Sequence, residues 1–284
     1  MKSYMDFQDT ASKRISYVLI TKDRPEYLAK ALLNCRNLVQ ANDELIVVNG
    51  GPDDEIDHLI DGYSDIVDIY ISESDLSAPE AFNKGFLLTR GKYIKVLQDD
   101  DVFYPEAMEQ AVKVMDETPE LDLMVCGGTR VRDGKVGWVY ARPGSNYGKL
   151  VDDVYKNTRS GAGFFFRRRI LHRVGLWEVD SVASDAAFLI RSVSLKATVK
   201  FCRINMFYHE LHADSISIRD QQKKYVERDR QIRRYCSERF QKEWFRRKSL
   251  PRRALRAARR VVTTGRLRQP PQERPAPIWD GGFS

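Results

Sequence analysis

Short apolar runs of strand-forming residues alternate with segments of helical periodicity over the first half of the chain. The predicted strands are 15–20, 44–48, 66–71, 93–97 and 121–126, and the predicted helices are 25–39, 78–89 and 105–115. In chains that alternate in this way, the strands lie mostly parallel in one sheet and the helices cover its faces. We therefore predict an α/β fold with a mostly parallel sheet and flanking helices.

The pattern changes after residue 127. A hairpin is predicted around Asp133-Gly134, because that dipeptide is typical of a two-residue turn between strands. A helix is predicted over 184–193 and a strand over 198–204, and one long, highly charged helix over 221–245. Asp23 is predicted to cap the helix that starts at Pro25, and Gly91 to end the helix over 78–89.

Charge is distributed unevenly along the chain. The formal net charge is +7, but residues 246–284 alone carry +9, so the other residues carry −2. A basic helical tail fits contact with an anionic membrane surface, contact with nucleic acid, or a solvated segment. Because the body has no basic groove to accompany the tail, we expect an anionic membrane contact through 246–268 and no nucleic-acid partner.

Two features that the sequence lacks bear on where in the cell the protein is expected. No apolar run approaches the roughly 20 residues that cross a bilayer, and residues 1–14 lack the apolar stretch of a signal peptide. The four cysteines, at 35, 126, 202 and 236, show no metal-site or disulfide spacing. We expect a cytoplasmic protein that lies peripherally on the inner face of the membrane.

An acidic triplet, Asp99, Asp100 and Asp101, follows the strand predicted at 93–97. Neighbouring carboxylates raise one another's pKa unless a cation is present, and Mg²⁺ or Mn²⁺ prefers such oxygen ligands. A solvated acidic turn before the helix at 105 would also fit the residues. The position at a strand end, where ligands bind in parallel sheets, favours a metal site.

Six ordered segments carry a recognisable pattern: 17–28, 44–48, 81–85, 91–101, 160–168 and 212–217. Together they resemble the inverting glycosyltransferases of family 2. The resemblance implies an A-type glycosyltransferase fold with a Rossmann-like sheet, followed by a C-terminal helical, basic extension. It also implies transfer of a sugar from a nucleoside diphosphate to a hydroxyl of a glycan or lipid-linked glycan, in bacterial surface polysaccharide biosynthesis such as that of lipopolysaccharide.

The resemblance assigns the acidic triplet to the donor and its metal. Asp100 would hold Mn²⁺ or Mg²⁺ beneath the diphosphate, Asp101 would support it, and Asp99 would lie near the ribose. His212 falls in a segment that resembles a late histidine of the family and is a candidate ligand, and His209 is a less favoured one. Gln98 stands where the first Asp of the family motif is common.

The same resemblance implies that several further residues contact the nucleotide. The donor-binding residues it implies are Thr21, Asp23, Arg24, Asn49, Asn83, Lys84 and Asp99. The paired Asp residues that are usual after the second strand are Asn49 and Gly50 here. Asn83 and Lys84 also fit the charged face of a surface helix.

Asp185 resembles the catalytic base of the family, and the usual Glu before it is Ser184. An inverting transfer needs one carboxylate to accept the proton of the acceptor hydroxyl. Asp is also a favoured N-cap, so Asp185 could instead begin the helix predicted there.

The predicted segments are an N-terminal extension, a nucleotide-sugar-binding half, an acceptor-binding half, a helical basic extension and a disordered tail. Their bounds are 1–14, 15–127, 128–219, 220–268 and 269–284. Two other functions stay open. A nucleotidyltransferase should have a Gly-rich loop where residues 21–25 stand, and the departures at 49, 50, 98 and 184 would fit a catalytically inactive scaffold.

Overall fold

The computed structural model describes residues 13–51, 53–132, 134–139, 152, 154, 160–211 and 221–249. The chain divides into two compact units, residues 1–236 and 237–284. The first unit holds a nine-stranded sheet, and the described part of the second is one helix. None of the described helices has the length and apolar character needed to cross a membrane.

The strands and helices have the following bounds. The strands are β1 (Lys13–Thr21), β2 (Glu44–Asn49), β3 (Ile69–Ser72), β4 (Gly91–Gln98), β5 (Asp101–Phe103), β6 (Leu123–Arg132), β7 (Lys135–Val139), β8 (Phe164–Arg167) and β9 (Val199–Glu210). The helices are α1 (Pro25–Leu38), α2 (Asp54–Asp61), α3 (Ala78–Leu87), α4 (Pro105–Glu117), α5 (Ile170–Val174), α6 (Ser184–Ser194), α7 (Gln221–Tyr235) and α8 (Glu238–Ser249). A 3₁₀ turn, Gly161–Gly163, precedes β8.

The strand order is β3-β2-β1-β4-β8-β6-β9-β5, with β7 paired to β6. Strands β1 to β4 are mutually parallel, as the alternation of strands and helices predicts. In the second half, β8 runs antiparallel to both β4 and β6, whereas β9 runs parallel to β6. The predicted α/β fold with flanking helices is confirmed, and each antiparallel pair among the described strands includes at least one of the strands β5 to β9.

The hairpin prediction is also confirmed. Strands β6 and β7 pair antiparallel, and Arg132 lies opposite Lys135, which leaves two residues for the turn. Gly134 has a φ of +68°, a conformation that two-residue hairpin turns require and that glycine adopts without steric cost. The predicted boundary between 127 and 128 falls within strand β6.

Three local predictions are wrong. Asp23 does not cap α1, because Arg24 occupies the N-cap position and Asp23 has a φ of +54°. Gly91 does not end α3 but begins β4, where a Cβ would lie 2.5 Å from the Ser16 amide nitrogen. The charged segment from 221 forms two helices, α7 and α8, rather than one.

Successive side chains of β8 pack into the hydrophobic layers on opposite faces of the sheet. Phe165 packs with Tyr93 in the core beneath α1 and α4, at 5.4 Å between ring centroids. Phe164 and Phe166 lie on the opposite face. There they join an aromatic cluster made of Phe82 and Phe86 of α3, Trp177, and Phe188 of α6.

Lys95 of β4 is a lysine with no solvent exposure. Its Nζ donates hydrogen bonds to the backbone oxygens of Ala162 and Phe164 and lies 4.3 Å from the centre of the Phe103 ring. Burial lowers the pKa of Lys95 to about 7. This side chain therefore ties the central strand to the 3₁₀ turn before β8.

The aromatic cluster predicts a large effect for Phe188→Ala. The side chain has no solvent exposure and contacts three other aromatic rings, so its loss should cost about 3–5 kcal/mol of unfolding free energy. Leu33→Ala, at a site on α1 that is 47% exposed, should change stability by less than about 1 kcal/mol. Urea denaturation of both variants measures the difference, and equal losses would contradict the assignment of this cluster to the core.

Candidate active site

Three parallel strands end side by side at one edge of the sheet. Thr21 at the end of β1 lies opposite Asn49 at the end of β2, and Ile20 lies opposite Gln98 at the end of β4. The polar residues that follow these strands are therefore neighbours in space. This is the edge at which ligands bind in open α/β sheets.

Asp99 is bound by two of the predicted donor residues. Thr21 Oγ1 donates to Asp99 Oδ2 at 2.7 Å, and Arg24 Nη2 forms an ion pair with Asp99 Oδ1. Arg24 Nη1 also lies 3.8 Å from Asp100 Oδ2. Burial raises the pKa of Asp99 to about 7, although the charge of Arg24 and the hydrogen bond from Thr21 oppose this rise.

Asp101 is paired with a histidine of a neighbouring strand. His209 of β9 lies opposite Asp101 of β5, and its Nδ1 is 2.5 Å from Asp101 Oδ1. Burial lowers the pKa of His209, but the hydrogen bond with Asp101 and the charges of Asp101 and Asp100 outweigh it and raise the pKa overall. Burial also raises the pKa of Asp101.

The side chains of Asp100, Asp101 and His209 fit a divalent cation. Each offers one ligand atom, and these atoms all lie within 4.8 Å of one another. Asp101 Oδ2 is buried and has no hydrogen-bond partner among the described residues, so a carboxylate oxygen is available as a ligand. Two carboxylates and one imidazole form a donor set that suits Mn²⁺.

The histidine of this cluster is His209, whereas the sequence favours His212 as the metal ligand. His209 lies opposite Asp101 only because β9 pairs with β5, a contact between distant segments that no local pattern reports. His212 lies outside the described residues. Arg130 of β6 lies opposite His209 on its other side, and its Nε is buried without a hydrogen-bond partner within the described part of the chain.

The amide of Asn49 serves the turn after β2. Asn49 has no solvent exposure; its Oδ1 accepts from the Gly51 amide at 3.1 Å, and its Nδ2 donates to Tyr70 Oη at 3.4 Å. Asp23 lies beside the same turn, because its Oδ1 would be 2.3 Å from a Cβ on Gly51. Contact of Asn49 and Asp23 with a nucleotide stays a prediction.

Asn83 and Lys84 of α3 form hydrogen bonds with the backbone of two loops, which contain Trp177 and Ser74. The Asn83 amide exchanges two hydrogen bonds with the Trp177 backbone, at 2.8 and 2.9 Å. Lys84 Nζ donates to the Ser74 carbonyl at 3.0 Å and lies 3.4 Å from the Glu73 carboxylate. The structure gives both side chains a tethering role, and their contact with a donor stays a prediction.

Asp185 lies in the first turn of α6. It is not the N-cap, which is Ala183, so that interpretation is wrong. Its Oδ2 accepts from the Gly161 amide at 3.1 Å and its Oδ1 from the Ala186 amide at 2.7 Å. A Cβ on Gly161 would lie 3.2 Å from that of Asp185, so glycine permits this close approach.

Solved structures with the same architecture define the class. The chain matches S. aureus TarS 1-349 in complex with UDP-GlcNAc with a TM-score of 0.55 and 16% identity, covering 70% of this chain and 59% of that one. It matches the mannosyltransferase PcManGT from Pyrobaculum calidifontis, in complex with GDP-Man and Mn²⁺, with a TM-score of 0.57 and 13% identity, covering 81% and 66%. The fold is that of the A-type glycosyltransferases.

The sequence comparison gives the family. A model described as glycosyl transferase family 2 matches residues 16–175, and the chain belongs to that family. An uncharacterized glycosyltransferase of Rickettsia prowazekii, RP339, is 27% identical over 52% of this chain and 46% of its own length. The poly-beta-1,6-N-acetyl-D-glucosamine synthase of Staphylococcus epidermidis is 22% identical over 61% and 44%. The chain thus spans about half the length of these relatives.

The Arg24–Asp99 pair predicts a pH-dependent loss of stability in Arg24→Gln. In the wild type the pKa of Asp99 is about 7, and the charge of Arg24 lowers it. Without the guanidinium this pKa should be higher, and ionisation of Asp99 then leaves an unpaired buried charge. The loss should reach about 2 kcal/mol near pH 9 and be smaller near pH 6, where Asp99 is protonated in both proteins.

Urea denaturation at both pH values measures this difference. The control is Arg36→Gln, because Arg36 pairs with an exposed carboxylate, Asp65, and exposed pairs contribute less than about 1 kcal/mol. An Arg24→Gln loss that is the same at both pH values would show that Asp99 is not held ionised by Arg24.

Proposed function

We propose that this protein is a metal-dependent inverting glycosyltransferase that moves a sugar from a nucleoside diphosphate to a hydroxyl of a glycan or lipid-linked glycan. The observation that carries the proposal is the cluster of Asp100, Asp101 and His209, which lies next to the Thr21–Arg24–Asp99 network at the carboxyl edge of the sheet. Both groups come from segments that are far apart in sequence, and in both a buried carboxylate pairs with a nitrogen-bearing side chain, Arg24 for Asp99 and His209 for Asp101.

The donor would lie along this edge with its diphosphate at the cluster. Asp100, Asp101 and His209 would hold Mn²⁺ or Mg²⁺, which neutralises charge on the departing diphosphate when it is bound. Arg24 is half-buried and points towards Asp99 and Asp100. The bound nucleotide sugars of TarS and PcManGT support a donor of the same chemical class.

Asp185 would accept the proton of the acceptor hydroxyl. The acceptor oxygen forms a bond to the anomeric carbon while the bond between that carbon and the diphosphate oxygen breaks, and the nucleoside diphosphate leaves. One carboxylate is sufficient for this single displacement. The backbone amides of Gly161 and Ala186 donate hydrogen bonds to Asp185 and fix its carboxylate at the N-terminal end of α6.

The acceptor would belong to bacterial surface polysaccharide biosynthesis. The similarity to a poly-beta-1,6-N-acetyl-D-glucosamine synthase supports this choice of product class. A lipid-linked acceptor would also fit a protein whose basic segment, 246–268, contacts an anionic membrane from the cytoplasmic side. Residues 250–268 of that segment lie outside the described part of the chain.

The metal site predicts cation-dependent nucleotide binding that Asp100→Asn removes. A nucleotide at 100 times its dissociation constant stabilises the folded state by about 2.7 kcal/mol. We expect a rise in the thermal midpoint of the wild type with UDP, GDP, dTDP or CDP only when Mn²⁺ is present. In Asp100→Asn this rise should be lost.

Asp65→Asn is the control, since Asp65 forms a surface ion pair with Arg36. It should respond to Mn²⁺ and nucleotide as the wild type does. A wild-type response that is the same with and without Mn²⁺ would contradict the metal site, and no response to any nucleotide would overturn the proposed function.

The base assignment predicts that Asp185→Asn loses transfer but keeps donor binding. Loss of a general base lowers the rate by about 10²- to 10⁴-fold, whereas the contacts of Thr21 and Arg24 with Asp99 are unchanged. Sugar transfer is measured by release of the nucleoside diphosphate in the presence of acceptor, and binding by calorimetry. Asp180→Asn, at an exposed carboxylate close to α6, should retain full activity. A rate within tenfold of wild type would remove Asp185 from this role.

A further inference from the structure

The 3₁₀ turn before β8, Gly161–Gly163, lies against the proposed base. The Gly161 amide donates to Asp185 Oδ2 at 3.1 Å, and a Cβ on Gly161 would lie 3.2 Å from the Asp185 Cβ. Because β8 runs antiparallel to β4, with Phe165 opposite Lys95, the residues that precede β8 lie towards the carboxyl end of β4. The turn is therefore at the same edge of the sheet as the acidic triplet.

Lys95 contacts this turn from inside the protein. Its Nζ donates hydrogen bonds to the backbone oxygens of Ala162 and Phe164. Lys95 and Phe164 have no solvent exposure and Ala162 is buried, so these hydrogen bonds are shielded from water. A buried backbone oxygen that loses its donor is costly, and Lys95 therefore constrains the position of the turn.

Strand β6 also packs directly against the turn. A Cβ on Gly163 would lie 2.2 Å from the carbonyl oxygen of Cys126, so only a glycine fits there. Within the turn, the Gly163 amide donates to the Ser160 carbonyl at 2.9 Å. The turn is thus held by contacts with three elements, β4, β6 and α6.

Lys95 contacts the strand that carries Asp101 as well. Its Nζ lies 4.3 Å from the centre of the Phe103 ring, and Phe103 ends β5, two residues after Asp101. A cation is attracted to the face of an aromatic ring. One buried side chain therefore connects the strand that holds a proposed metal ligand with the turn that binds the proposed base.

We infer that Lys95 positions Asp185 relative to the candidate metal site, through the turn Gly161–Gly163, and that it acts as a hydrogen-bond donor rather than as packing. This inference rests on the proposed function. In the transfer, Asp185 takes the proton of the acceptor hydroxyl while the attacking oxygen, the anomeric carbon and the leaving diphosphate oxygen lie in line. A displacement of about 1 Å can lower the rate of such a step about 100-fold. Lys95 touches no substrate and is a positioning residue.

Lys95→Met removes the donor and keeps the length of the side chain. Replacing a buried charge by an apolar side chain of similar volume is often neutral or stabilising, so the variant should fold with a thermal midpoint close to that of the wild type. Donor hydrolysis, in which water replaces the acceptor, is followed by release of nucleoside diphosphate from UDP-GlcNAc, UDP-glucose, GDP-mannose or dTDP-glucose with Mn²⁺. We expect kcat to fall at least about tenfold with the donor KM unchanged.

Ile94→Val is the control, at the neighbouring position of β4, which is also buried. It shortens a core side chain by one methyl group and should keep the kcat of the wild type. A loss of kcat that is specific to Lys95 thereby separates positioning from a general disturbance of the strand.

Lys95→Gln separates hydrogen bonding from packing. Met resembles Lys in length but has no donor, whereas Gln is shorter and keeps N–H donors. A hydrogen-bonding role predicts a smaller loss of kcat in Lys95→Gln than in Lys95→Met, and a packing role predicts the reverse order. Thermal unfolding establishes that each variant is folded. If Lys95→Met is not, Lys95→Gln is compared with the wild type and should show the same losses at a smaller size.

Hydrogen exchange of the full chain measures the turn without any substrate. The amides of Gly161 and Gly163 are bonded to Asp185 and Ser160. They should exchange at least about tenfold faster in Lys95→Met than in the wild type, because the turn opens more often. In Ile94→Val they should exchange at the rate of the wild type.

The outcomes separate this inference from the proposed function. A kcat of Lys95→Met within about threefold of the wild type, unchanged exchange of the turn, or a larger loss in Lys95→Gln than in Lys95→Met would overturn the role of Lys95 alone. A wild type that releases no nucleoside diphosphate from any of these donors would overturn the proposed function and this role together. A lower kcat at unchanged KM, with faster exchange of the turn, supports the inference.

Discussion

Burial of carboxylates at one edge of the sheet is the constraint on which the site depends. A carboxylate removed from water is costly to ionise unless a cation or hydrogen-bond donor accompanies it. Asp99 has Arg24 and Thr21, Asp101 has His209, and Asp75 has Lys22. Each acidic group is thereby held in one position: Asp75 over the turn after β2, Asp99 directly after β4, and Asp101 at the start of β5.

The aromatic packing behind the edge positions the proposed base. Phe188 packs α6 against Phe164 and Phe166 of β8 and against Trp177. Asp185 lies in the first turn of that helix. Lys95 holds the turn that contains Gly161, whose amide binds Asp185. A chain of contacts thus runs from the buried centre of β4 to the half-buried carboxylate of Asp185.

Local contacts explain why Asn49 and Gly50 stand where the family usually has paired Asp residues. Asn49 stabilises the turn after β2 through Gly51, and Gly50 makes room for the Asp75 carboxylate. A carboxylate therefore remains next to the end of β2, although it comes from the loop after β3.

Local sequence patterns determined the fold class, the parallel strands β1 to β4, the hairpin at Gly134 and the acidic triplet at the end of β4, because periodicity and turn chemistry act between near neighbours. Tertiary structure decided which strand carries the histidine beside Asp101, which carboxylate lies over Gly50, and what Asn83 binds. These are contacts between residues tens to about a hundred positions apart. Strand pairing and loop packing create them, and no single segment contains the information that specifies them.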